Sequence, residues 1–170
     1  HWTRDVAGRA IHITDYDGNE RTLAYDAEGN ISHYVDRLRD VRFEHIGMSR
    51  LAARTEAGTR VEFLYDTEEQ LVGIKNEHGL VYRFVRDAAG GIAEEYGFDE
   101  LRRRYLRDGA GRVTAVHRPH GRTSAFAYDS LGRLTAVEYD DGTKATYEYR
   151  PDGVLTKADN GTSVITFERN

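Results

Sequence analysis

Four groups of residues in this chain have types and spacings that could do chemistry. His117 and His120 form H-x-x-H, which on a helix could ligate a transition metal. Asp15-Tyr16-Asp17-Gly18-Asn19-Glu20 has the carboxylates of a calcium loop. It lacks the full ladder of ligands and the twelfth-position Glu of an EF-hand. Tyr25-Asp26, Tyr65-Asp66 and Tyr128-Asp129 pair a phenol with a carboxylate, types suited to acid–base work. Arg102, Arg103, Arg104 and Arg107 make a basic cluster that could meet an acidic surface or a glycan. None of the four is a convergent constellation. The histidines fall on a strand end and its turn, where their rings diverge. The acidic run coincides with a hairpin turn. The Tyr-Asp pairs recur at a fixed interval, as structural parts do and a single active site does not. Strand parity splits the arginines, Arg103 and Arg107 on the side of Tyr105 and Arg102 and Arg104 on the other, which suits a solvated face.

What must position these residues is a repeat. Taking Asp129 as a marker, equivalent positions are Asp5, Asp26, His45, Asp66, Asp87, Asp108, Arg150 and Asn170, at intervals of 19 to 21 residues. Three residues before the markers stand Trp2, Leu23, Arg42, Phe63, Phe84, Tyr105, Phe126, Tyr147 and Phe167. Seven of these nine are aromatic in a chain that is only 11% aromatic, so the row is a periodic feature. Three residues after the markers come Gly8, Gly29, Gly90, Gly111, Gly132 and Gly153, and five after come apolar residues such as Leu134. Gly18, Gly58, Gly79, Gly121 and Gly142 stand thirteen after. Glycines locked to a period mark backbone positions that need φ > 0.

Each unit reads as two strands and two turns. The Asp-x-x-Gly sets, such as Asp129 to Gly132, predict type I turns whose Asp accepts from N–H groups two or three residues on. Asp17-Gly18, His78-Gly79, His120-Gly121, Asp141-Gly142 and Asn160-Gly161 predict two-residue type I′ hairpins. The unit after Tyr34 lacks its hairpin glycine, so its turn should differ. Asp36 to Phe43 and Glu100 to Leu106 have helical propensity, but the period demands strands there. Ala145, Tyr147 and Tyr149 share a strand face. Leu134 and Val137 differ in parity, which leaves either a bulge or two partly covered faces. The expected fold is all-β, a single array of antiparallel hairpins over residues 1–170 forming a curled β-strip, with the aromatic row largely buried on one face.

Composition sets outer limits. With 170 residues, net charge −5 and 31% charged residues of both signs, there is no global case for nucleic-acid binding. There are no cysteines, which removes disulfides and thiolate zinc sites. No apolar run approaches the ~20 residues of a membrane helix. No cofactor motif and no signal peptide is visible. The chain begins at His1 and shows no distinct cap at either end, the expectation for an excerpt of a longer repeat core.

Tyr25-Asp26-Ala-Glu-Gly29, Tyr65-Asp66 and Tyr128-Asp129-Ser-Leu-Gly132-Arg133-Leu134 resemble the YD repeat of Rhs proteins. The resemblance covers the whole chain. It is fullest at Tyr128 to Leu134, with Arg86 and Arg107 replacing the Tyr and Arg150 the Asp elsewhere. On this likeness the repeat positions Trp2, Asp26, Gly29, Phe63, Tyr65, Asp66, Phe84, Asp87, Gly90, Tyr105, Asp108, Gly111, Phe126, Tyr128, Asp129, Gly132, Leu134, Gly142, Tyr147 and Phe167 are structural. None is catalytic, cofactor-binding or metal-ligating. The family implies a long β-strip wound into a hollow shell. In bacterial Rhs toxins and insecticidal toxin complexes the shell encloses a C-terminal toxic domain; in teneurins a similar shell belongs to an adhesion ectodomain. The expectation is a non-enzymatic wall segment of a secreted or cell-surface protein, partnered by the rest of its shell and an enclosed toxin domain. The alternative is a module binding glycans or a surface protein. Bacterial members mark a self-cleaving core end with a DPxGL-type segment. Arg150-Pro151-Asp152-Gly153-Val154 lacks the Asp before Pro and lies in the ordinary turn register, so cleavage is not carried over.

Overall fold

The computed structural model describes residues 1–167. The marker Asn170 lies outside the described residues. The chain divides into two units, His1–Arg83 and Phe84–Asn170. The first holds β1 (Trp2–Arg4), β2 (Ala10–Thr14), β3 (Glu20–Tyr25), β4 (Ile31–Val35), β5 (Asp40–Ile46), β6 (Arg50–Glu56), β7 (Thr59–Tyr65) and β8 (Leu71–Lys75). The division falls inside β9 (Val81–Arg86). The second unit holds β10 (Ile92–Tyr96), β11 (Arg102–Arg107), β12 (Val113–His117), β13 (Thr123–Tyr128), β14 (Leu134–Tyr139), β15 (Lys144–Tyr149), β16 (Leu155–Asp159) and β17 (Val164–Thr166). A 3-10 turn at Pro119–Gly121 is the one helical element among the described residues. In each unit every strand pairs antiparallel with its sequence neighbour, the topology of a hairpin array. The segments with helical propensity are strands, because β5 and β11 each supply one ladder of the repeat.

The long turns share one geometry. Gly132 N–H donates to the Asp129 carbonyl at 3.0 Å, and Asp129 N–H donates to the Arg133 carbonyl at 3.0 Å. Gly132 sits at φ +81. This is a type I turn closed by a left-handed residue, the three-residue hairpin loop. The hairpin glycines Gly18, Gly79, Gly121 and Gly142 all have positive φ as the period required. The turn type differs from the one expected. At Gly18, Gly79 and Gly142 the same three-residue closure appears, for example Gly142 N–H on the Tyr139 carbonyl and Tyr139 N–H on the Thr143 carbonyl. Asp17, His78 and Asp141 keep negative φ, so these are not type I′ turns. Two successive positive φ values occur at His120-Gly121 and at Ala57-Gly58. The glycine-free turn after Tyr34 does differ, with Asp36 N–H closing on the Arg39 carbonyl. No neighbouring atom lies within 4 Å of a Cβ built on Gly142. The cost of Gly142→Val is therefore backbone strain alone, about 1–2 kcal/mol, readable as a lowered denaturation midpoint.

Seven of the return strands meet the next strand through a bulge, which settles the parity conflict. Ala127 pairs with Ala136 and Tyr128 with Leu134, leaving Thr135 extra. The bulge brings Leu134 and Val137 to the same face, opposite Tyr128 and Phe126. The same shift recurs between β1 and β2, β3 and β4, β5 and β6, β7 and β8, β11 and β12, and β15 and β16.

The register corrects the third marker. His45 pairs with Leu51 as Tyr25 pairs with Ile31 and Tyr65 with Leu71. His45 therefore holds the tyrosine place, and the turn position is Ile46. The aromatic three residues before it is Phe43, half-buried and opposite Arg54, not the exposed Arg42.

The aromatic row is less enclosed than expected. Phe63, Phe84, Tyr105, Phe126 and Tyr147 are half-buried, and Trp2 and Phe167 are 58% and 47% exposed. The buried hydrophobic side chains are small: Val41, Ala53, Val116 and Val137. Among the described residues no second layer of strands or helices lies over the row within either unit, so each ring is covered only by its strand neighbours. No helix among the described residues is long and apolar enough to cross a membrane.

Candidate functional site

Of the residues that looked chemical in the sequence, the repeated Tyr and Asp are brought together as structural rungs. Asp129 begins one. Its Oδ1 accepts from Leu131 and Arg133 N–H, both at 2.9 Å, and its Oδ2 accepts from Arg133 Nε at 2.7 Å. The acceptors are used two and four residues on, not two and three, because the left-handed glycine lengthens the loop by one residue. The Arg133 guanidinium lies 4.9 Å from the centre of the Tyr149 ring in the next unit of the repeat. It also donates through Nη1 to the Arg150 carbonyl at 2.8 Å. Tyr149 closes the circuit, its hydroxyl donating to the Leu134 carbonyl at 2.9 Å. That carbonyl belongs to the first residue of the strand that follows Arg133.

The circuit recurs. Asp108, Arg112 and Tyr128 repeat it, with Arg112 Nε 2.8 Å from Asp108, its guanidinium 5.0 Å from the Tyr128 ring centre and Tyr128 OH on the Val113 carbonyl at 2.8 Å. Asp5, Arg9 and Tyr25 repeat it again, at 2.7 Å, 4.5 Å and 2.8 Å onto the Ala10 carbonyl. Arg50 lies over Tyr65 at 5.8 Å, and Tyr65 OH donates to the Leu51 carbonyl, although Ile46 supplies no carboxylate. The arginines Arg9, Arg50 and Arg112 are the residues that reading by period missed, and Arg133 stood in the quoted motif without a role. Their signal was present, since each directly follows the turn's left-handed residue. Nothing in one dimension links them to a tyrosine fifteen or sixteen residues on.

Of the three rungs that lack the Arg–Tyr pair, at Asp26, Asp66 and Asp87, two show what replaces it. Arg107 stands where Tyr128 and Tyr149 stand. Its Nη2 donates to the Ile92 carbonyl at 3.1 Å, the acceptor a tyrosine would take, and its Nε lies 3.7 Å from Asp87 Oδ2. One side chain thus does the work of both arginine and tyrosine. The arginine place of that rung is Gly91, where a Cβ would lie 3.0 Å from both Arg107 Nε and Asp87 Oδ2. At the other, Asn30 donates its amide to Asp26 at 3.0 Å, and His45 Nδ1 lies 3.5 Å from Asp26 Oδ2.

The charges of the rungs give a pH dependence. Hydrogen bonds from the Arg133 backbone and side chain hold the Asp129 carboxyl below the usual carboxylate range, against an opposing desolvation. The Arg112 side chain does the same for Asp108. A carboxyl depressed in the folded state contributes stability above its unfolded pKa and loses it as pH falls through the folded value. The melting temperature should therefore hold from neutral pH to about 5 and fall below about 4. Asp129→Asn with Asp108→Asn should lower it at neutral pH and flatten the acid fall.

The remaining candidates are separate. His117 ends β12 exposed, and His120 sits in the turn at φ +62. Asp15 is taken by Arg21. Arg102 pairs with Glu94, and Arg103 lies 3.8 Å from Glu95, so the basic cluster meets acids of β10 on both faces. Among the described residues no group of three or more His, Cys, Asp or Glu is placed to hold a metal.

Comparison with known proteins agrees with this geometry. Residues 4–41 and 107–144 match the RHS Repeat family model. Double-stranded DNA deaminase toxin A of Burkholderia cenocepacia (strain H111) is 31% identical over 110 residues, covering 59% of this chain and 7% of that protein. The Photorhabdus luminescens Tc holotoxin pore superposes over 94% of this chain and 11% of its own at TM-score 0.67 and 13% identity. A TcdB2-TccC3 structure does so over 94% and 12% at TM-score 0.61 and 13% identity. At that identity the structural likeness speaks for the fold, and the chain spans a small fraction of each of these proteins. Period, turn geometry, register and family match coincide, and the chain carries RHS repeats at residues 4–41 and 107–144.

Proposed function

We propose that this chain is a non-enzymatic wall segment, one array over residues 1–170, in an RHS-repeat shell that encloses a C-terminal toxin domain. The observation that carries this reading is the use made of the polar motif. The Asp, Arg and Tyr of each full rung are spent on one another and on backbone carbonyls of neighbouring strands, so they lock the strip. Catalysis needs groups left free and converging on a substrate, which repeated rungs do not supply. Such a wall works by shape and by excluding water and protease from its cargo. The toxins among its relatives support a secreted or surface setting as part of a larger protein. A screen of the purified chain for hydrolase, nuclease and transferase turnover, with and without divalent metal, tests the reading. No turnover is expected; turnover abolished by replacing one acid or histidine would overturn it.

The half-open aromatic row favours a second reading, a module that binds a glycan or a surface protein. Loss of glycan binding in Phe126→Ala, with a melting temperature changed by a degree or less, would establish that reading. The wall reading instead expects clear destabilisation, short of the ~3–5 kcal/mol of a fully enclosed ring because Phe126 is half-buried.

A further inference from the structure

We propose that Asn160-Gly161 is a self-modification site, at which the turn between β16 and β17 converts its own asparagine to aspartate and isoaspartate with Asp159 as the base. The parts of the reaction are assembled there. The electrophile is the side-chain amide carbon of Asn160, and the nucleophile is the backbone nitrogen of Gly161. Gly161 N–H donates to Asp159 Oδ1 at 2.9 Å, so a carboxylate is placed to take its proton. Asp159 Oδ2 faces Lys157 Nζ at 3.6 Å, which leaves Oδ1 to the glycine. Asn160 Oδ1 accepts from Thr162 N–H at 3.0 Å and from Ser163 N–H at 2.7 Å. These two donors fold the side chain back over the turn and polarise its carbonyl, as an oxyanion hole does where negative charge develops. Nucleophile and electrophile sit on adjacent residues, so the attack is intramolecular.

The step balances. The Gly161 nitrogen bonds to Asn160 Cγ and gives up its proton through Asp159. The amide nitrogen leaves with that proton as ammonia, and the product is a cyclic succinimide. Water then opens the ring at either carbonyl. One opening gives aspartate, and the other gives isoaspartate, whose main chain runs through the former side-chain carbon. Nothing is oxidised or reduced. The turn gains a negative charge beside Asp159, and in isoaspartate it also gains a backbone carbon.

The site is open and selective. Asn160, Gly161 and Thr162 are exposed, so water reaches the ring. Gly161 brings no side chain to crowd the closure, and no atom lies within 4 Å of a Cβ built on it. The other asparagines of the described residues lack this combination. Asn76 comes nearest, its Oδ1 accepting from His78 and Leu80 N–H at 3.0 Å and 2.9 Å. Glu77 follows it, however, and sets a side chain on the nucleophile. Asn30 spends its amide on Asp26 and precedes the branched Ile31, and Asn19 precedes Glu20. This inference is independent of the wall reading.

The test is a time course of the purified chain at neutral pH and physiological temperature, read by peptide mapping in a mass spectrometer. Isoaspartate methyltransferase labelling separates isoaspartate from aspartate. The mass gain of amide-to-acid conversion should accumulate in the peptide holding Asn160, and not at Asn19, Asn30 or Asn76. Asp159→Ser leaves a hydroxyl to accept from Gly161 and removes the base. It should slow the conversion about tenfold, short of the ~10²-fold of an enclosed enzymatic base because Asp159 is only half-buried. Unfolding the parent sequence in urea disperses the base and the two N–H donors and should also slow it, a readout that needs no variant to fold. An Asn160 that stays an amide would overturn the proposal. So would a rate unchanged by Asp159→Ser, or conversion as fast in urea as in the folded chain.

Discussion

Replacing Tyr128 with alanine should destabilise the chain by about 3 kcal/mol, the low end for loss of an aromatic ring because this one is half-buried. The ring supports the Arg112 guanidinium at 5.0 Å, and its hydroxyl holds the Val113 carbonyl at 2.8 Å across the bulge. Tyr128→Phe separates the two contributions. It keeps the ring and removes one hydrogen bond, and should cost about 1 kcal/mol. Denaturant titration reads both. Equal losses in the two variants would mean that the ring contributes nothing, and the rung would reduce to its hydroxyl.

The altered rung at Asp87 yields the second large effect, a rescue. Gly91→Arg alone forces a side chain to within 3.0 Å of Arg107 Nε and Asp87 Oδ2. Arg107→Tyr alone removes the cation beside Asp87 and leaves nothing in the arginine place. Each single substitution should destabilise. The double substitution rebuilds the Asp129–Arg133–Tyr149 pattern at Asp87 and should recover most of the loss, a coupling of about 1–3 kcal/mol. Additive losses would show that the two positions do not share one rung.

The period, the turn glycines and the aromatic row were legible because each is a residue type locked to a spacing. The unit near His45 was misread by one residue because Ile46-Gly47-Met48-Ser49 has neither the turn Asp nor the turn Gly in place. Ser49 at φ +61 takes the left-handed position instead. Phe43 could have corrected it, since it stands three before Ile46 as Phe63 stands three before Asp66. The hairpin turns were misassigned because Asp-Gly suits both a type I′ turn and the last two positions of a three-residue loop. The choice depends on where the ladder closes, as at Asp15 N–H on the Asn19 carbonyl. Burial of the aromatics was overestimated for a different reason. Alternation reports which face a residue takes, not whether anything lies over that face. The rungs needed three dimensions, because Arg133 and Tyr149 are sixteen residues apart and meet only once two hairpins stand side by side.

The central claim is that this chain is a protective wall, and limited proteolysis of the intact parent protein tests it most directly. Leu134 anchors one rung through its carbonyl and packs opposite Tyr128. Leu134→Asp buries a charge there and should open the wall locally. Cleavage of the enclosed domain should then speed up on the order of tenfold or more, as the open population rises. Cleavage at the unchanged rate, in a variant whose lowered melting temperature proves the wall is weakened, would contradict the account.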